Sequence, residues 1–147
     1  MTNPSAGNLE AAPITASKVP EAERHLFLPE FYPGLFMAAE TLTYVVAKRY
    51  ISGYCGAYWN FFKLSNGAYF MAPDEPEPVR VVVTDNYTDE TMSAEAAGIV
   101  TTLYVLGQLM NARLKEGDIE RYVDLWHKLR DYACEHNDCA AILKAID

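Results

Sequence analysis

The first sustained hydrophobic period in the chain follows Pro33-Gly34, where Leu35, Ala38, Ala39, Leu42, Val45 and Val46 recur at steps of three and four residues. That spacing places them on one face and predicts a helix from about Phe31 to Ile51. Gly53 and Gly56 break the pattern, and the aromatic run Ala57-Tyr-Trp-Asn-Phe-Phe-Lys-Leu64 suits a pleated, half-buried strand. Asn66-Gly67 tolerates the positive φ values of a tight turn, so Ala68 to Ala72 is expected to return antiparallel. Beyond a loop bracketed by Pro73, Pro76 and Pro78, the β-branched run Val79 to Thr84 predicts a third strand and hence a small antiparallel meander.

Ser93 is placed to cap a helix whose Ala96, Ile99, Val100, Leu103, Leu106 and Met110 form one apolar stripe. Gly98 and Gly107 each weaken such a helix by about 1 kcal/mol relative to Ala, so close packing of a neighbouring element is expected at both. After Gly117, Tyr122, Leu125, Trp126, Leu129, Tyr132 and Ala133 line one side of another helix, with Asp124 and Lys128 spaced for an ion pair on the polar side. A short helix from about Asp138 to Ile146 ends the chain. Upstream, Pro20 and Pro29 bracket one short helical turn whose Leu26, Phe27 and Leu28 anchor to the core. The segment before it, rich in Pro and small residues and without periodicity, reads as a flexible tail. The expectation is an α+β fold with a three-stranded meander and about four helices, residues 20–147 forming one domain behind a tail of residues 1–19.

Composition agrees with one globular domain: 147 residues, 50% hydrophobic and 12% aromatic. With 12 Lys+Arg against 20 Asp+Glu the net charge is -8, which argues against sequence-independent DNA binding as the main purpose, and sequence-specific binding is not expected either. The longest apolar candidates, Leu35 to Ala47 and Ile99 to Leu109, are interrupted by Glu40, Thr41, Thr43, Thr101, Thr102 and Gln108, so no membrane span is expected. The first residues lack a basic start and an apolar h-region, and the expected location is cytoplasmic. Cys55, Cys134 and Cys139 are an odd set, read as reduced thiols. Cys134, His136 and Cys139 match no usual zinc spacing, and neither metal nor cofactor is expected. His25, His127 and His136 are scattered and fall in no nucleophile, phosphate-loop or metalloprotease motif, so no catalytic residue is assigned.

Charge is local. Asp74, Glu75, Glu77, Asp85, Asp89, Glu90 and Glu95 fall within 22 residues that contain one cation, Arg80, leaving the rest of the chain nearly balanced. A mimic of duplex DNA needs a charge about every 1.7 Å over many base pairs, and seven carboxylates are too few. The band reads as a solvated loop region or as a docking patch for a basic protein surface. Arg24, followed by His25-Leu-Phe-Leu, and Glu40, between Ala39 and Thr41, are charges in apolar surroundings. They read either as an Arg–carboxylate pair tying the N-terminal segment to the long helix, or as partner contacts. Trp59 is by default a core aromatic, although Trp and Arg are also enriched at binding hot spots.

Taken in order, Arg24-His-Leu-Phe-Leu-Pro29, Gly56 to Gly67, Tyr69-Phe-Met-Ala-Pro73, Met92-Ser-Ala-Glu-Ala-Ala-Gly-Ile-Val100, Leu129-Arg-Asp-Tyr-Ala133 and the closing Ala145-Ile-Asp147 resemble the ArdB/KlcA antirestriction family. The resemblance runs from about Val19 to the C-terminus, and the Trp-containing strand, Asn-Gly hairpin and Ser-Ala-x-Ala-Ala-Gly-Ile-Val helix together are specific. It implies a non-enzymatic protein of plasmids, phages or genomic islands that protects incoming DNA from host type I restriction enzymes. It also implies a separation from the strongly acidic DNA mimics. On this reading a surface containing Arg24, Glu40 and Trp59 engages the restriction complex, or a factor controlling it, and stops translocation or cleavage without blocking methylation. The competing reading is an interaction protein for plasmid or mobile-element maintenance. A hydrolase would need a convergent nucleophile and base that the sequence does not offer.

Overall fold

A computed structural model describes residues 12–147, in the order β1 (Ala16–Lys18), α1 (Arg24–Phe31), α2 (Phe36–Tyr50), β2 (Trp59–Leu64), β3 (Tyr69–Pro73), β4 (Val79–Val83), β5 (Thr88–Met92), α3 (Ala94–Met110), α4 (Glu116–Glu135) and α5 (Cys139–Ile146). The class is α+β in a single domain with two small antiparallel sheets, one of order β1-β2-β3 and one of β4 with β5.

The β2–β3 hairpin turns at Asn66-Gly67 as its sequence requires. Gly67 takes φ +94°, and Asn66 uses its Oδ1 to accept the Ala68 N–H at 3.1 Å and its Nδ2 to donate to the Lys128 carbonyl at 2.9 Å. The third strand of this sheet is not Val79–Val83. It is β1, which pairs with the other edge of β2 through Ala16 to Leu64 and Lys18 to Phe62. Thus residues 16–18, read from sequence as tail, are sheet; residues 1–11 of that tail lie outside the described residues.

The reason β4 does not extend the sheet is that α3 occupies the free edge of β3. The Met71 N–H, which a further strand would have taken, donates to the Thr102 hydroxyl at 3.2 Å, and that hydroxyl donates to the Gly98 carbonyl at 2.9 Å. A helix laid along an edge in this way removes a site for unwanted pairing. Gly98 makes the approach possible, since a Cβ there would overlap the Met71 carbonyl and lie 2.5 Å from Ala72 Cα. Gly107 differs from expectation: a Cβ there would meet nothing within 4 Å among the described residues. Displaced from β3, β4 pairs with β5 from Val79–Met92 to Val83–Thr88. Ile51 and the Ser52 N–H, which donates to the Arg80 carbonyl at 2.9 Å, join the end of α2 to it.

The helices follow their patterns more closely. Ser93 Oγ accepts the Ala96 N–H at 3.0 Å, the expected cap. α3 buries Ile99, Val100, Leu103, Val105 and Leu106 and is enclosed on nearly all sides. α4 buries Tyr122, Leu125, Leu129 and Ala133, and Lys128 pairs with Asp124 at 3.0 Å. The long helix expected from about Phe31 begins instead at Phe36, after a break at Pro33-Gly34, where Gly34 takes φ +77°, and the short turn expected to stop at Pro29 is a helix that ends at Phe31. α1 runs through Pro29 to Phe31. Proline removes one intrahelical bond there, but Phe27, Leu28 and Phe31 are buried. Phe27 stacks on Phe61 at 4.5 Å and Phe31 on Tyr69 at 4.2 Å, which holds the last turn in place. α1 and α2 therefore cover one face of the larger sheet, while Phe70 on the other face stacks on Tyr132 of α4.

Candidate functional site

The alternation of β2 directs Phe61 and Lys63 toward α1 and Trp59, on the same face, toward Tyr44 of α2. This brings Phe61 under Arg24, at the first turn of that helix. The guanidinium carbon lies 4.2 Å from the centroid of Phe61 and 4.3 Å from that of Tyr58. Planar, weakly hydrated guanidinium suits such stacking, worth about 0.5–1 kcal/mol at a partly exposed site. Tyr58 is held in turn by its hydroxyl, which donates to Glu21 Oε1 at 3.0 Å. Lys63 donates to Glu30 at 2.8 Å beside Phe31.

Arg24 and Glu40 face one depression of about 330 Å³, whose walls include Leu28, Phe36 and Phe61. They do not form the ion pair that the sequence allowed. Arg24 is taken by the two rings, and Glu40 accepts the Tyr44 hydroxyl at 3.3 Å. Partial burial, reinforced by the Glu40 carboxylate, raises the Tyr44 phenol above its ordinary value. Arg24 also lines a second depression with Lys18, Glu21, Tyr58, Asn60 and Asp74.

Trp59 is only 3% exposed. Its Nε1 donates to the Tyr54 hydroxyl at 3.0 Å, and its ring lies 6.2 Å from that of Tyr44. The surface here is therefore presented by Tyr44 and Tyr54, with the indole behind them. Half-exposed Tyr58 and Tyr44 were not singled out from the sequence. The available signal for Tyr58 was its place beside Trp59 in the aromatic run. Around them α2 exposes two neighbouring rows, Phe36, Glu40 and Tyr44 in one, Met37, Thr41 and Val45 in the other.

The acidic band is broken up by pairing. Arg80 donates to both carboxylate oxygens of Asp89, at 2.7 and 2.6 Å, which holds that carboxyl below its usual range. Lys144 pairs with Glu90 at 2.8 Å, and His136 with Glu95 at 2.9 Å. Asp74 accepts from Asn60 at 3.3 Å, while Glu75, Glu77 and Asp85 point to solvent. His136 is fully used, since its Nδ1 accepts the Asp138 N–H at 3.0 Å. Cys55, Cys134 and Cys139 are free thiols.

A model of the antirestriction protein family matches residues 52–147. The chain belongs to this family. It is 41% identical over 141 residues to the antirestriction protein KlcA of Escherichia coli, covering 95% of this chain and 99% of that protein. It is 32% identical over 144 residues to the putative antirestriction protein YubI of Escherichia coli strain K12, covering 93% and 98%. A solved structure from a study of KlcA and ArdB superposes with a TM-score of 0.85 at 41% identity, over 94% of this chain and 98% of that one. Those two proteins show a novel fold, and antirestriction activity against type I DNA restriction systems in vivo but not in vitro. Of the candidate antirestriction surface, Trp59 lies inside the family match, whereas Arg24 and Glu40 lie before it, within the stretch shared with the full-length relatives. No helix among the described residues is long and apolar enough to cross a membrane.

Proposed function

We propose that this chain protects incoming mobile-element DNA by inhibiting host type I restriction at translocation or cleavage, leaving methylation untouched, and that it does so by binding and not by catalysis. The partner is the restriction complex or a factor controlling it. The observation that carries this reading is the Arg24 surface: a half-exposed guanidinium stacked on Tyr58 and Phe61, sharing a depression with Glu40 beside the exposed Phe36, Met37, Tyr44 and Val45. Apolar area with a few placed charges and rings is the composition of a protein-binding hot spot. The ion pairs of Asp89 with Arg80 and of Glu90 with Lys144, and the contact of Glu95 with His136, support a mechanism other than DNA mimicry, because they break up the row of free carboxylates.

The test is the plating efficiency of unmodified phage on cells with an active type I system, with and without the protein. Wild type is expected to restore plating and Arg24→Ala and Tyr58→Ala to lose that effect, while progeny phage remain methylated. Full protection by both variants, each shown to be folded, removes this surface from the mechanism. No protection by wild type against several type I systems favours the maintenance reading.

A further inference from the structure

Tyr87, at the tip of the β4–β5 hairpin, takes φ +61° and ψ +27° and is 90% exposed. For an L-residue the left-handed conformation costs roughly 1–2 kcal/mol, a cost that glycine escapes and that asparagine reduces. A bulky side chain there is an outlier. Nothing within the fold offsets it, since a ring at this exposure buries almost no area.

The turn around it is built entirely by its neighbours. The Thr84 carbonyl accepts the Tyr87 N–H at 3.2 Å. Asn86 Oδ1 accepts the Thr88 N–H at 3.2 Å, and Asn86 Nδ2 donates to the carbonyls of Lys144 and Ala145 at 3.2 and 2.9 Å. The Thr88 hydroxyl donates to the Lys144 carbonyl at 3.0 Å. Residues on both sides of Tyr87 are thus fastened to α5, and its backbone is ordered before any encounter. Binding through it would need only two side-chain torsions to be fixed, which is a small ordering cost.

We infer that Tyr87 is a partner contact, its ring inserting into a protein pocket edged by a basic side chain. The ring supplies a large apolar area, and tyrosine is among the residues that dominate binding energy. The charge of the edge follows from Asp85, which is exposed and in no ion pair among the described residues, whereas Asp89 and Glu90 are held by Arg80 and Lys144. Stacking on a nucleic-acid base is opposed by that carboxylate and by the net charge of -8.

The inference rests on the antirestriction reading, because protection is the readout. Tyr87→Gly, Tyr87→Asn and Tyr87→Phe are compared with wild type in the phage-plating assay, with thermal melting of each purified protein. The Gly and Asn variants are expected to melt at or above the wild-type temperature while protection falls at least about tenfold, the equivalent of one moderate hot spot. The Phe variant keeps its protection. Undiminished protection by Tyr87→Gly and Tyr87→Asn alongside a protective wild type overturns this contact alone. A wild type that does not protect overturns the antirestriction reading and this inference with it. A lower melting temperature in both the Gly and Asn variants overturns the strain argument. Retardation of single- or double-stranded DNA oligonucleotides by wild type, lost in Tyr87→Gly, replaces the protein partner by nucleic acid.

Discussion

Gly98→Ala and Gly107→Ala make the same chemical change in the same helix, and the structure assigns them opposite signs. At Gly98 the added methyl would overlap the Met71 carbonyl and sit 2.5 Å from both Cα and Cβ of Ala72. No rotamer change relieves that contact, so α3 must move off β3. Overpacking of this kind costs about 1–3 kcal/mol. The shift also stretches the 3.2 Å bond from the Met71 N–H to Thr102, which lies one turn further along α3. A buried donor left unsatisfied costs about 1–3 kcal/mol. Better helix propensity returns about 1 kcal/mol, so the net destabilisation is about 1–5 kcal/mol. At roughly 2–4 °C per kcal/mol for a chain of this size, melting falls by about 2–20 °C. At Gly107 nothing among the described residues lies within 4 Å of the new methyl, and propensity alone predicts a gain of about 1 kcal/mol. Urea titrations and thermal melts followed by circular dichroism measure both. A Gly98→Ala protein as stable as wild type, or a Gly107→Ala protein destabilised by more than about 1 kcal/mol, would refute the packing argument.

The Tyr69 hydroxyl is buried without a hydrogen-bond partner among the described residues, so Tyr69→Phe is expected to raise stability in denaturant titrations by about 1 kcal/mol or more; a loss would show that the hydroxyl is satisfied. Asp138 accepts the Ser93 N–H at 3.1 Å, which together with the nearby His136 holds its carboxyl below the ordinary value despite partial burial. Its stabilisation is therefore complete above the unfolded pKa of about 3.9 and is lost as pH falls through the lower folded value. Asp138→Asn should melt lower at neutral pH and flatten the acid limb of melting temperature against pH, and an unchanged limb would contradict this. Arg24→Ala should cost about 0.5–1 kcal/mol in stability from lost ring stacking. Arg24→Lys should restore the charge but not the planar stack, so its protection in the plating assay is expected to stay below wild type.

The resemblance read from about Val19 to the C-terminus pointed to the same family as the comparisons, and the α+β class followed from patterns that are local. A residue's neighbours within four positions decide whether Asn66-Gly67 turns, whether Ser93 caps, and which side of α4 is apolar. Each of these was legible because its energy is settled within one turn of chain. The candidate site was legible only in its residues. Arg24 and Glu40 stood out as charges in apolar surroundings, and they line one depression, but their partners could not be read: Arg24 meets Phe61 from a strand 37 positions away, and Trp59 turns inward because α2 and the loop at Tyr54 close over it.

Strand β5 was missed because Thr88-Asp-Glu-Thr-Met92 has almost no β pattern, and it is a strand only because β4 needs a partner. β1 was missed for the same reason, its three residues pairing with an edge of β2 about 45 positions on. Sequence by itself determined the periods, turns, caps and the family. Which strand completes which sheet was decided by tertiary structure, because an edge goes to whatever element fits it best, and at β3 the absence of a single Cβ at Gly98 gave that edge to α3 instead of β4.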